Sequence, residues 1–159
     1  MVRTRHSSRV VTLFILCLAG CQSAEKASLT PLAPDVVPTF AELMQRGKSQ
    51  INAAHEFYYS DRWKDVEMAA IAIKETGTYL TKLPLPNATE EQKVKLASLT
   101  KEFNEAADQL KVAGTEQNAT KTNQIFQKLN EVYRQLRVQQ AVVGQISEPE
   151  VKPPVPPVK

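Results

Sequence analysis

Apolar residues recur along the middle of this chain at alternating intervals of three and four. Phe40, Met44, Gly47, Ile51, Ala54 and Tyr58 make one row, and Trp63, Val66, Ala70, Ile73, Gly77 and Leu80 a second. Leu96, Leu99, Phe103, Ala106, Leu110 and Ala113 make the third, and Ile125, Leu129, Val132, Leu136, Gln139 and Val143 the fourth. At 3.6 residues per turn this spacing places each row on one face of a helix, and the residues between are mostly charged or polar. No stretch alternates with period two, so strands are not expected.

The punctuation between the rows agrees. Thr39-x-x-Glu42 after Pro38 and Thr89-x-x-Gln92 after Pro86 are capping boxes. Ser60-Asp61 offers a cap ahead of Trp63, Leu83-Pro84-Leu85-Pro86 breaks the chain after the second row, and Gly114 is expected to end the third helix. Asn87-Ala88-Thr89 and Asn118-Ala119-Thr120 match the glycosylation sequon and read here as helix starts. Short connections force neighbouring helices to run in opposite directions. The expected fold is all-α, an antiparallel up-down-up-down four-helix bundle over residues 39–146. A dimeric coiled coil of long hairpins is the structural alternative, but Ala69, Ala107 and Tyr133 widen the apolar faces beyond a two-stranded seam.

The segments flanking this domain have a different character. Arg3, Arg5 and Arg9 precede a short apolar run, Val10 to Ala19, that is too short to span a bilayer. It ends in Leu18-Ala19-Gly20-Cys21, which resembles the lipobox of bacterial lipoproteins. The resemblance implies a signal peptide over residues 1–20, cleavage before Cys21, and a thioether-linked diacylglycerol on the Cys21 thiol. Gln22 stands where an Asp would favour inner-membrane retention in the enterobacterial rule, so an outer-membrane site facing the periplasm is expected. With Cys21, residues 22–38 read as an extended tether able to reach roughly 50 Å at about 3.3 Å per residue. Residues 147–159, with five prolines, read as a disordered polyproline tail, and two overlapping PxxP spacings make a docking ligand conceivable.

Processing changes the electrostatics. Removing the three arginines of residues 1–20 takes Lys+Arg from 20 to 17, against 17 Asp+Glu. The mature chain is then near neutral, and the basic balance that would suggest nucleic acid disappears. Cys17 and His6 leave too, so one cysteine and one histidine, His55, remain. An internal disulfide and a zinc site of several Cys or His ligands are excluded by count.

Residues 39–140 resemble the cytochrome c-prime type of four-helix bundle. The resemblance rests on the early Met44, on Asp61-Arg62-Trp63 opening the second helix, and on the Leu83-Pro84 break. Thr89-Glu90-Glu91-Gln92 opening the third helix and Phe126-Gln-Lys-Leu129-Asn-Glu-Val-Tyr133 in the fourth complete it. The family implies haem bound through C-x-x-C-H on the fourth helix, with some relatives supplying a ligand near the position of Met44. Here Tyr133-Arg134-Gln135-Leu136-Arg137 stands in place of that motif. Tyr133 and Leu136 form no thioether, and Arg137 is a permanent cation that does not ligate iron. No cofactor is therefore expected, and Met44, Gly47, Gly77 and Leu80 mark a vestigial pocket. Opposed helices would set Met44 near Gly77 and Gly47 near Ile73, with Tyr133 and Leu136 filling the space and Arg137 reaching solvent.

The remaining constellations are weaker. His55, beside Glu56 and one turn from Asn52, is a minor metal-ligand candidate without a second His or Cys. Glu90-Glu91 and Glu102-x-x-Glu105 read as solvated helix faces rather than acid–base pairs. Phe57, Tyr58, Tyr59 and Trp63 read as the end cap of the bundle, or as a partner-binding patch. No catalytic set, phosphate loop or CxxC is present, so an enzyme is not expected. The expectation is an acylated envelope lipoprotein that acts as an interaction or structural module, engaging the bilayer through Cys21 and a protein partner through its surface or tail. A binding protein for haem or a small hydrophobic ligand is the alternative.

Overall fold

The computed structural model describes residues 29–33, 37–85 and 88–145. The expected export signal, Cys21, Pro86, Asn87, the Val143 side chain and the proline-rich segment 147–159 lie outside the described residues. Four helices carry the chain, α1 (Phe40–Tyr59), α2 (Trp63–Lys82), α3 (Glu90–Thr115) and α4 (Ala119–Gln145), and no strand occurs among the described residues. Each helix packs on its sequence neighbours and α1 also packs on α4. No described helix is long and apolar enough to cross a membrane.

Two helix starts form as the capping boxes require. The Thr39 backbone N–H donates to Glu42 Oε2 at 2.8 Å while Glu42 N–H returns to Thr39 Oγ1 at 3.2 Å. The Thr39 backbone N–H first, and then the Thr39 hydroxyl donating to the same Oε2 at 2.9 Å, hold the Glu42 carboxyl below its usual range. Thr89 and Gln92 repeat the exchange at 2.8 and 3.3 Å. Asn118 Oδ1 accepts from Lys121 N–H at 3.0 Å, so the second sequon does start a helix.

The second helix ends at Lys82, ahead of the Leu83-Pro84 break, but two other boundaries differ from expectation. Ser60-Asp61 does not cap α2. Asp61 takes a positive φ of 54° and closes α1, with Arg62 N–H bonded to Phe57 O at 2.8 Å and Asp61 N–H to Tyr58 O at 3.2 Å. That reciprocal pair satisfies the last carbonyls of α1. Gly114 does not end α3 either. It lies one residue inside the helix, and Gln117 takes the left-handed position at φ 51°, with Asn118 N–H on Ala113 O and Gln117 N–H on Gly114 O, both at 3.0 Å. Gly114 instead lets α2 approach: a Cβ there would sit 3.1 Å from Glu67 Cγ and 3.5 Å from Val66 Cγ1.

The described members of the four apolar rows line one continuous core, with Phe40, Tyr58 and Trp63 half-buried at its margin. The rows were narrower than the faces that bury. Leu43, Ala53, Phe57, Ala72 and Phe126 are also enclosed, as are the polar Gln50, Thr76, Thr100 and Thr122. Gln50 and Thr76 satisfy each other, Thr76 Oγ1 donating to Gln50 Oε1 at 2.8 Å, and Thr100 bonds back to Leu96 O at 2.7 Å. The residues before α1 extend the core at one point. Leu29 and Leu32, read as part of an extended tether, pack against it.

Candidate functional site

The sequence directs attention to the region where α4 faces the start of α1. Tyr133 lies there half-buried, with its hydroxyl donating to the backbone carbonyl of Met44 at 3.1 Å. Its ring edge passes over Gly47, where a Cβ would stand 4.0 Å from Tyr133 Cε2, 3.8 Å from Phe103 Cζ and 3.7 Å from Thr76 Cγ2. Gly47 therefore sits under side chains from three other helices. Burial pushes the Tyr133 phenol above its ordinary range, and the nearby Arg137 charge opposes this. Lys48 Nζ lies 5.8 Å from the centre of the same ring. One turn along α4, Leu136 is fully buried in the core and Arg137 is exposed.

The four residues marked as a vestigial pocket do not share one space. Met44 and Gly47 meet Tyr133 of α4, whereas Gly77 turns toward α3, where a Cβ would lie 2.0 Å from Asn104 Oδ1 and 3.1 Å from Phe103 Cδ1. The nearest atoms around Gly47 come from Thr76, Phe103 and Tyr133, and those around Gly77 from Asn104 and Phe103, so the closest contacts of both glycines lie elsewhere than in the expected pairings of Met44 with Gly77 and Gly47 with Ile73. The reason is rotational: Gly77 lies on the side of α2 that faces α3, and the α1-facing side presents Thr76. Leu80 lines a separate groove of about 240 Å³ with Leu83, Leu85 and Leu96. That is below the roughly 300–1,000 Å³ of ordinary ligand pockets. A larger groove of about 440 Å³ lies between α3 and α4 beside Val112 and Ile125, away from all four marked residues.

Beside Gly47, then, the Tyr133 phenol is hydrogen-bonded to α1 and Leu136 is enclosed in the core.

His55 stands at the opposite end of α1. Its ring stacks on Phe126 at 3.8 Å between centroids and 20° between planes, and Asn130 Nδ2 lies 3.4 Å from its Nε2. Burial, and then the Lys48 charge, lowers its pKa below the ordinary 6.5. A neutral ring accepting from Asn130 is the form this environment favours. Among the described residues no three His, Cys, Asp or Glu side chains gather as a metal site.

The aromatic residues at the first turn assemble with that histidine. Tyr58 meets Trp63 edge-on at 5.4 Å and Phe126 at 5.7 Å, and its hydroxyl accepts from Asn123 Nδ2 at 2.8 Å. Phe57 is buried beneath the Arg62 guanidinium, 4.4 Å from its ring centre. The cluster ties α1, α2 and α4 together, and Tyr59, 75% exposed, extends from it into solvent. Sequence reasoning had no means of finding Phe126 and Asn123 as partners, since both come from the other end of the chain.

No protein-family model, curated protein or solved structure matches the chain.

Proposed function

We propose that this chain is a bacterial envelope lipoprotein, acylated on Cys21, whose mature domain is a haem-less relative of the cytochrome c-prime bundles and acts as an interaction or structural module. In this reading it is neither an enzyme nor an electron carrier. The single observation that carries the loss of haem is Tyr133, whose ring covers Gly47 and whose hydroxyl ties α4 to Met44 at 3.1 Å. An antiparallel up-down-up-down course is supported by pairs whose numbers rise on one helix as they fall on the next. On α1 and α4 these are Met44 with Tyr133, His55 with Asn130, and Tyr58 with Asn123. On α2 and α3 they are Gly77 with Asn104, Lys74 with Asp108, and Val66 with Gly114.

The anchor rests on the ordered n-region, apolar run and Leu18-Ala19-Gly20-Cys21. Each buried methylene contributes about 0.8 kcal/mol, so two or three acyl chains make attachment effectively permanent. Gln22 favours the outer membrane, with the bundle facing the periplasm. The partner surface in this reading is the aromatic end around Tyr59 or the proline-rich tail.

Two experiments test the reading. Palmitate labelling should be abolished by Cys21→Ser; a mutant that still labels would remove the lipoprotein assignment. Haemin titrated into the folded chain should give no saturable Soret shift. A tight shift lost in Met44→Ala would promote the alternative, a carrier of haem or a small hydrophobic ligand. The groove of about 440 Å³ between α3 and α4 is the observation that favours that alternative for a smaller molecule.

A further inference from the structure

The residues ahead of α1 carry an arrangement that the tether reading does not use. Leu29 and Leu32, three apart, both pack against the bundle core, while Pro31 and Ala33 face outward. Between the leucines, the Thr30 carbonyl accepts a hydrogen bond from Arg46 Nη2. Arg46 lies almost two turns into α1, so Thr30 sits beside the second turn of that helix. The same guanidinium faces α2, where Nη2 stands 4.0 Å from Glu75 Oε2, and only 15% of the Arg46 side chain is exposed.

We propose that residues 29–33 form a releasable clip, seated on α1 and locked by Arg46, that sets the length of lead between Cys21 and the domain. The consequence for function rests on the reading of Cys21 as the lipid anchor. A seated clip leaves the seven residues 22–28 between anchor and bundle, and the eight steps from Cys21 to Leu29 reach at most about 26 Å at roughly 3.3 Å per residue. A released clip gives the full lead to Thr39, up to about 60 Å. Two half-buried leucines and the Arg46–Thr30 bond at the edge of the core oppose the entropy of ordering a chain segment. Opening therefore belongs to the low-stability end of the native ensemble and leaves the four-helix core intact. Tension on the lead, or a partner that covers Arg46, would lengthen the reach of the anchored bundle.

The test uses the mature-length chain, residues 21–159, made unlipidated with Cys21→Ser, and spin labels on Pro31→Cys and Lys101→Cys. Electron–electron distance measurement should give one narrow distribution. Arg46→Ala should broaden and lengthen it, and so should Leu32→Ser, which alters the clip and leaves the bundle untouched; far-ultraviolet circular dichroism should be unchanged in both. A broad distribution in the parent chain, or an unchanged narrow one in Leu32→Ser, overturns the clip. Palmitate labelling of the native precursor is read separately. If labelling fails while the distances behave as stated, the anchor is wrong and the clip stands.

Discussion

The Tyr133 hydroxyl reaches from α4 to the backbone carbonyl of Met44 at 3.1 Å, and its ring edge lies over Gly47 one turn further along α1. The contact joins the first and last helices, which no connecting loop holds together. It combines a hydrogen bond with the filling of space over a residue that has no side chain, and the two parts can be separated by substitution. Tyr133→Phe removes only the hydroxyl and should cost about 1 kcal/mol, a usual net value for one hydrogen bond. Tyr133→Ala also opens the space above Gly47 and should cost about 3 kcal/mol. Urea midpoints at constant slope measure both; equal losses would mean that the ring contributes nothing beyond its hydroxyl.

The two interior glycines at Gly47 and Gly77 should respond in opposite directions to alanine. A Cβ at Gly47 meets only ordinary contacts of 3.7–4.0 Å, so Gly47→Ala should gain most of the ~1 kcal/mol by which alanine exceeds glycine in a helix. A Cβ at Gly77 would lie 2.0 Å from Asn104 Oδ1 and 2.9 Å from its Cγ, so Gly77→Ala should lose about 1–3 kcal/mol through overpacking. Asn104 Oδ1 is buried without a hydrogen-bond partner, so adding Asn104→Ala should recover much of that loss. Thermal melts of the two singles and the double check the signs; additive losses would place the strain elsewhere.

Gln117 holds a backbone conformation, φ 51°, that side chains other than Asn and Asp rarely adopt. Gln117→Gly keeps both bonds that close α3 and removes the steric penalty, so it should stabilise the fold by roughly 0.5–1 kcal/mol. Asp61→Gly, at φ 54°, should gain less because an Asp tolerates this region better. A loss of stability in Gln117→Gly, seen as a lowered urea midpoint, would show that the glutamine side chain has a role of its own.

His55 should make the fold sensitive to mild acid. Its pKa is lowered in the folded chain, by burial first and Lys48 second, so the unfolded chain takes up its proton at higher pH. The stability tied to the neutral ring is complete above 6.5 and is lost as pH falls from there through the folded value. Glu42, also lowered, acts further down, below its ordinary 4.5. Urea midpoints measured while acidifying below pH 6.5 should fall more steeply in the parent than in His55→Phe, which keeps the stack on Phe126. Parallel slopes would dismiss His55 as the titrating group.

The sequence by itself determined the helices, because helix formation is written in near neighbours. The three- and four-residue intervals fix which side of each helix is apolar, and Thr39 with Glu42, Thr89 with Gln92, and Asn118 act within a single turn. It also showed that Tyr133, Leu136 and Arg137 cannot hold haem as C-x-x-C-H does, since that follows from their chemistry. Only the tertiary structure decided what each face meets. Gly47 lies under Tyr133 and Gly77 against Asn104 because the rotation of α2 about its axis presents Thr76 to α1 and the glycine to α3, a choice that no interval within α2 encodes. Gly114, which looked like a helix stop, serves the approach of α2, while the stop falls to Gln117, held in a left-handed conformation by two bonds back into α3. Leu29 and Leu32 pack against the core and Thr30 meets Arg46 of α1, so a segment with no periodicity of its own takes its position from a surface that the bundle presents.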